Sequence, residues 1–383
     1  MSDIATQIAD LSPEKRDLLL RKLRLRQSGQ QEKETVGANA PSKSRPFDLE
    51  RDQNFTLMVP RIGILENFVY RVSRRVAPGP GQVEIEVYAS SLNFRDVLIA
   101  LGEYPSTSAE MGSDCSGKVV RVGEGVDEFK VGDEVIAISE ASAFSRFTTT
   151  MATDVVKKPA SLSFEEAASL PTVFVTLYYS LHNLAALSKG ERILIHSAAG
   201  GIGLAAIQYA RTVGAEIFAT VGSDEKRTYL RSLDVERIFN SRSMDFADEI
   251  MKATGGEGVD VVLNSLSGEA IPKGLSILRP LGRFVELGRR DFAQNSQIGL
   301  APFDKSLTFF SVSLYRLSVL RANFYHSVFM EIVDKFDRGI FKPLKMNVYA
   351  ASEITSAFQH MAQGNHIGKL TIRFKDQEIM VAA

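Results

Sequence analysis

Arg192–Ala210 reads RILIHSAAGGIGLAAIQYA, and the reading of this stretch decides the fold. An apolar run stops abruptly, Gly200, Gly201 and Gly203 follow within four residues, and apolar residues then recur at helical spacing. A strand, a glycine corner and a helix in that order form a phosphate-binding turn. Glycines let the backbone approach a pyrophosphate, and the helix start offers free N–H groups and the positive end of its dipole. Ala199, Gly200, Gly201, Ile202 and Gly203 are the expected cradle. Many tight turns carry glycines, so the neighbouring segments must support the reading.

They do so on both sides. The next apolar run, within AEIFATVGSDEKR, ends at Val221, Gly222 and Ser223. Sites that prefer NAD usually place an acid at that strand end for the ribose 2′-hydroxyl. Here Ser223, Lys226 and Arg227 would instead receive a 2′-phosphate, with Asp224 cutting slightly the other way. NADPH is therefore the expected cofactor. From about Pro171 to Lys305, ILIH, EIFATV, GVDVVLNS and GRFVELG read as strands separated by helical stretches, which predicts an α/β doubly wound parallel sheet. Upstream, QVEIEVYASSLNF alternates, and GSDCSGKVVRVGEGVDEFKVGDEVIAI is a series of short β-rich runs between Gly-Asp and Gly-Glu turns. That spacing fits a small antiparallel barrel. The tail, with SEITSAFQHMAQ as helix and KLTIRF as strand, most simply completes the barrel. The expected organisation is 1–46 as an appendage, 47–174 with 306–383 as the barrel domain, and 175–305 as the nucleotide-binding domain.

Composition narrows the class. The chain has 383 residues, 44% hydrophobic and 24% charged, with a formal charge of −1. No basic excess points to nucleic acid. No apolar run is long enough to span a bilayer, and MSDIATQIADLSPEKRD is no signal peptide. The single cysteine, Cys115, excludes an internal disulfide and a multi-cysteine zinc site, and a reducing cytoplasm is the expected setting. LSPEKRDLLLRKLRLRQ reads as a short basic amphipathic helix with Ser12 as its cap and Pro13 at its first position. The polar tether QSGQQEKETVGANAPSKSRP follows. Such a helix suits docking to a partner protein or a solvated terminus alike.

The stretches SLNFRDVLIALGEYP, MGSDCSGKVVRVGEGVDEFKVGDEVIAI, AASLPTVFVTLYYSL, VDVVLNSLSGEAI, GRFVELGRRD and HIGKL join the glycine corner in a distributed pattern. It resembles the medium-chain dehydrogenase/reductase superfamily, and within it the enoyl reductase domains of type I polyketide and fatty acid synthases. The resemblance implies a GroES-like barrel domain for substrate and a Rossmann domain for NADPH. It also implies an acyl carrier protein bearing an enoyl thioester as partner. The N-terminal helix is similar to linkers beside assembly-line modules, and either a monomer or a homodimer fits the family. Zinc alcohol dehydrogenases of the superfamily carry Gly-His-Glu where this chain has Gly112-Ser113-Asp114, so no metal is expected.

The implied reaction is hydride transfer to the β-carbon of a conjugated thioester, with charge developing on the carbonyl oxygen and a proton going to the α-carbon. By resemblance, Tyr104 of LGEYP delivers the proton, Asn93 of LNFRD lies near nicotinamide and substrate, and Thr176, Asn264, Leu287, Gly288 and Lys369 approach the cofactor. Their plain alternatives are packing for Tyr104, a turn for Asn93 and a strand-end cap for Asn264. The sequence departs from the family at Arg289, where many polyketide enoyl reductases have Lys, and at Ser313, where they have Asp. Arginine keeps its proton, so Arg289 suits an oxyanion but is a poor acid. The departure opens a second outcome, ring closure of a γ-halo enoyl thioester to a cyclopropane. A free-standing quinone or enone reductase is a third.

Overall fold

The computed structural model describes residues 44–104, 110–139 and 141–382. The expected N-terminal helix lies outside the described residues. In chain order, the first eight strands are β1 (Ser44–Pro46), β2 (Asn54–Met58), β3 (Val69–Ser73), β4 (Gln82–Ser91), β5 (Asp114–Val122), β6 (Glu134–Ile138), β7 (Phe147–Met151) and β8 (Val155–Lys157). Helix α1 (Phe94–Ala100) follows β4, and α2 (Phe164–Ala168) and α3 (Pro171–Tyr178) follow β8. Strands and helices then alternate through β9 (Arg192–Ile195), α4 (Gly201–Val213), β10 (Glu216–Val221), α5 (Asp224–Ser232), β11 (Arg237–Asn240), α6 (Phe246–Ala253), β12 (Val259–Asn264), α7 (Ala270–Ser276), β13 (Leu278–Glu286), α8 (Arg290–Ala293) and β14 (Thr308–Ser311). The tail holds α9 (Leu314–Leu320), α10 (Ala322–Asp337), β15 (Met346–Ala350), α11 (Ile354–Gln363), β16 (Lys369–Arg373) and β17 (Met380–Ala382).

The chain divides into two compact units. One comprises Val173–Arg321 and Arg338–Leu344. Its sheet has the order β11-β10-β9-β12-β13-β14, and every pairing in it is parallel. Parallel strands covered by helices are buried on both faces, which is why ILI and VVL are unbroken apolar runs. Leu194, Phe218, Phe246, Val262 and Phe284 form its core. This is the expected doubly wound sheet.

The other unit takes the described residues up to Thr172, with Ala322–Asp337 and the chain from Lys345. A seven-stranded sheet, β15-β16-β4-β5-β6-β8 with β7 on β4, and a four-stranded sheet, β1-β17-β3-β2, enclose Phe55, Ile85, Val119, Phe144 and Phe358. It is the GroES-like barrel. Alternation in QVEIEV places Glu84 on the same face as Glu86, on the solvent side. Glu84 is instead fully buried, held by Arg75 at 2.7 and 2.8 Å and by Arg121 at 3.1 Å. Two guanidinium groups supply what water would have supplied.

The parallel sheet runs further along the chain than a boundary at residue 305 allows. β14 pairs with β13 in register from Thr308 opposite Arg283 to Ser311 opposite Glu286, so residues to Arg321 belong to the nucleotide-binding unit. At the other end, Ser44–Pro46 pairs with β17 and so joins the barrel before residue 47. Both differences arise from pairing with a distant partner strand.

Candidate active site

At the glycine corner β9 ends at Ile195 and α4 begins at Gly201, with Gly200 as an extended N-cap that makes no side-chain cap. A Cβ placed on Gly203 would fall 2.5 Å from Ala198 Cα and 2.6 Å from its carbonyl carbon and oxygen. Only glycine lets this helix start sit so close to the strand end. The corner presents the backbone N–H groups of a helix start without a side-chain cap, which fits a dinucleotide pyrophosphate.

At the end of β10 the carboxylates are absent from the place an NAD site would use. Asp224 is fully exposed, and Ser223 caps α5 by accepting the Lys226 N–H at 3.4 Å. Lys226 is half-buried, and burial, reinforced by Arg242, pushes its ammonium below the usual lysine range. Arg227, expected to bind cofactor, donates to the Ile238 carbonyl of β11 and braces that strand. Arg242 also lies at this strand end, its Nε 3.2 Å from where a side chain on Gly222 would begin. Sequence reasoning missed it because residue 242 reaches Gly222 only through the parallel pairing of Val221 with Asn240.

Thr176 is buried in α3. Asn264 ends β12 fully buried, its Nδ2 donating to the Leu266 carbonyl at 2.6 Å and to Glu286 Oε2 at 2.5 Å, while its Oδ1 accepts the Leu266 N–H at 3.2 Å. Its amide is thus engaged within the turn. Glu286, also unanticipated, accepts the Gly288 N–H at 2.5 Å, and Leu287 N–H donates to the Asn264 carbonyl at 2.9 Å. A buried Asn–Glu pair therefore shapes the Leu287-Gly288 turn. Arg289 follows half-buried, donating to Ser311 Oγ at 3.3 Å with its guanidinium 4.9 Å from the Phe292 ring centre. Ser313 caps α9 by accepting the Arg316 N–H at 3.4 Å.

In the barrel unit, Asn93 precedes α1, and its side chain meets Lys369 Nζ at 2.7 Å and Asp114 Oδ2 at 3.0 Å. Lys369, expected on the cofactor, is buried and also donates to the Leu92 carbonyl at 2.8 Å, with Asp114 Oδ2 at 3.8 Å. Asp114 Oδ1 accepts from Thr172 Oγ at 2.5 Å. Burial pushes Asp114 up and Lys369 down, and each opposes the shift of the other. Asp96 accepts the N–H groups of Asn93 at 2.7 Å and Gly112 at 2.9 Å, and burial holds it at about 6. Neither Asp114 nor Asp96 was singled out from sequence, although Asp114, a carboxylate at the head of a buried β-run, is a readable signal. Tyr104 is half-buried just beyond α1, with the Arg95 guanidinium 5.3 Å from its ring centre.

Among the described residues no group of three or more His, Cys, Asp or Glu could hold a metal ion, and no helix is long and apolar enough to cross a membrane. Cys115 is buried in β5, its thiol pushed far above its usual value. His196, just past β9, is buried with Nδ1 2.9 Å from Thr220 Oγ, and Nε2 has no partner. Burial lowers it to about 3. Its folded value lies below its unfolded one, so its contribution is present above pH ~6.5 and is lost as pH falls toward 3. Between pH 7 and 5 this removes about 2 kcal/mol. Urea unfolding of His196→Leu at those two pH values is expected to show a loss smaller by that amount. An unchanged pH dependence would mean that the imidazole is solvated.

The chain matches two family models, "Alcohol dehydrogenase GroES-like domain" over residues 79–169 and "Zinc-binding dehydrogenase" over 201–335. It is 38% identical over 336 residues to phthioceranic/hydroxyphthioceranic acid synthase of Mycobacterium tuberculosis, a match covering 87% of this chain and 16% of that protein. It thus spans about a sixth of that relative. Among solved structures, CurK enoyl reductase is 42% identical with a TM-score of 0.76, covering 84% of this chain and 99% of that one. The CurF ER cyclopropanase from the curacin A biosynthetic pathway is 36% identical with a TM-score of 0.78 and the same coverage.

Proposed function

Because the chain belongs to the enoyl reductases of polyketide synthases within the medium-chain dehydrogenase/reductase superfamily, we propose that it reduces the α,β double bond of an enoyl thioester carried on acyl carrier protein, using NADPH. The family's coarser property, an oxidoreductase working with a nicotinamide cofactor, is its premise. The observation that carries the finer reading is the end of β10, where Arg242 lies beside Gly222, Lys226 follows within one helical turn, and the nearby acids Asp224 and Glu225 are exposed.

When bound, NADPH supplies a hydride to the β-carbon of the conjugated thioester. The backbone from Ala199 to Gly203 holds the pyrophosphate, and Lys226 with Arg242 holds the 2′-phosphate. Thr176 and the Leu287-Gly288 turn, shaped by Asn264 and Glu286, line the nicotinamide pocket. The Arg289 guanidinium stabilises the oxyanion that develops on the carbonyl. Tyr104 delivers the proton to the α-carbon. The N-terminal segment LSPEKRDLLLRKLRLRQ would join the domain to neighbouring assembly-line modules.

Similarity to the cyclopropanase, together with Arg289 in place of Lys, favours a second outcome on a γ-chloro substrate. There the α-carbon displaces chloride from the γ-carbon and closes a ring instead of taking a proton. NADPH oxidation with a crotonyl thioester on carrier protein tests the main reading. Mass analysis with the γ-chloro substrate tests the second, since a saturated product that keeps its chlorine rejects ring closure. Turnover of quinones with none of thioesters would overturn both. Lys226→Ala and Arg242→Ala are each expected to weaken NADPH binding about 10-fold or more while leaving NADH binding nearly unchanged. Arg227→Ala is expected to leave the preference intact. Fluorescence titration with both dinucleotides checks this, and equal losses for the two would remove the phosphate site.

A further inference from the structure

The amide of Asn93 is held in one orientation by chemistry. The Lys369 ammonium has only donors to offer, so the Asn93 atom 2.7 Å from it is the oxygen. The nitrogen then faces Asp114 Oδ2 at 3.0 Å and Ser113 Oγ at 3.4 Å. Asp114 Oδ2 and Ser113 Oγ thus take up the donor side of the amide, while Lys369 takes one of the two lone pairs of Oδ1. The surrounding groups are themselves anchored, Asp114 by Thr172 Oγ at 2.5 Å and Lys369 by the Leu92 carbonyl at 2.8 Å. The ion pair is buried, whereas Asn93 is half-buried.

We propose that the Asp114–Lys369 pair makes Asn93 an acceptor-only anchor for an amide N–H of the bound molecule, with Asp114 as its positioning residue. This rests on the enoyl reductase reading and deepens it. Asn93 has no proton left for an oxyanion, so it does not stabilise the enolate. That task falls to Arg289. An amide N–H has two sources in the proposed reaction, the carboxamide of the nicotinamide and the amides of the pantetheine arm.

Two comparisons on the full chain test the anchor, both read as dissociation constants with thermal melting as the control for folding. The first pairs NADPH with its 3-acetylpyridine analogue, which lacks the carboxamide N–H, and a crotonyl pantetheine thioester with its ester-for-amide analogue. One analogue is expected to bind the wild-type protein about 3- to 10-fold more weakly than its parent, and the difference is expected to vanish in Asn93→Leu. Which analogue weakens identifies the source of the N–H. The second comparison exchanges the pair. Asn93→Asp sets two carboxylates together, Asp114→Asn leaves Lys369 without its anion, and each is expected to weaken binding of the same parent about 10-fold or more. Asn93→Asp/Asp114→Asn restores a carboxylate beside Lys369, an N–H···O bond between the two positions and an accepting oxygen at 93, and is expected to return within about 3-fold of wild type. Analogues that bind as well as their parents, or a folded exchange variant as weak as the single ones, would overturn the anchor. If the wild-type protein reduces no enoyl thioester while both comparisons hold, the reading of function fails and the anchor stands.

Discussion

Gly203→Ala is expected to abolish saturable NADPH binding and to lower stability by about 2 kcal/mol or more. The added methyl carbon would lie 2.5 Å from Ala198 Cα and 2.6 Å from the Ala198 carbonyl, all backbone atoms that no rotamer change can move aside. Either α4 must pull away from β9 or the strand end must bend. Both movements misplace the N–H groups on which the pyrophosphate reading depends. Gly200→Ala is the graded comparison, because its methyl would meet only the Ser197 carbonyl oxygen at 3.3 Å. Thermal melting and fluorescence titration of the two variants separate folding from binding. Normal NADPH affinity in Gly203→Ala would remove the glycine corner from the cofactor site.

Lys369→Met is expected to destabilise the cofactor-free protein by about 3–5 kcal/mol at pH 8. It leaves Asp114, fully buried, with Asn93 and Thr172 but without a cation. The sign of the pH dependence follows from the direction of the shift. Asp114 already lies above its usual value through burial, with Lys369 the chief opposing influence. Removing that influence raises the folded value further. Stability is then kept at low pH, where folded and unfolded states both bind the proton, and is lost as pH rises through the folded value. The variant's deficit should shrink between pH 8 and pH 5, and Lys369→Met/Asp114→Asn should recover most of it at pH 8. Urea unfolding measures each. A Lys369→Met protein as stable as wild type at pH 8 would show that Lys369 serves bound ligand alone.

The glycine corner, the alternation of β4 and the strand-helix rhythm after Pro171 were legible because each is set by residues within a few positions of one another. What sequence reading did not show is which distant partner each candidate site residue takes. Arg227 looks like a phosphate ligand beside Ser223, yet it braces β11. Asn264, expected at the nicotinamide pocket or as a strand-end cap, closes its own turn with Glu286, a partner that nothing local to residue 264 marks. The edge strand β14 looked like the start of the barrel's return because nothing local marks Thr308–Ser311 as a partner of β13.

The residues of this chain determined by themselves that an apolar parallel sheet would meet a glycine-lined helix start, and that one cysteine would build no multi-cysteine metal centre. Tertiary structure alone decided which polar groups become neighbours. Pairing of Val221 with Asn240 brings Arg242 to Gly222. Pairing of β4 with β16 and β5, Ser91 opposite both Thr371 and Asp114, brings Lys369 and Asp114 to Asn93. Strand register is a long-range property, and a buried charge takes its meaning from the group across the sheet from it.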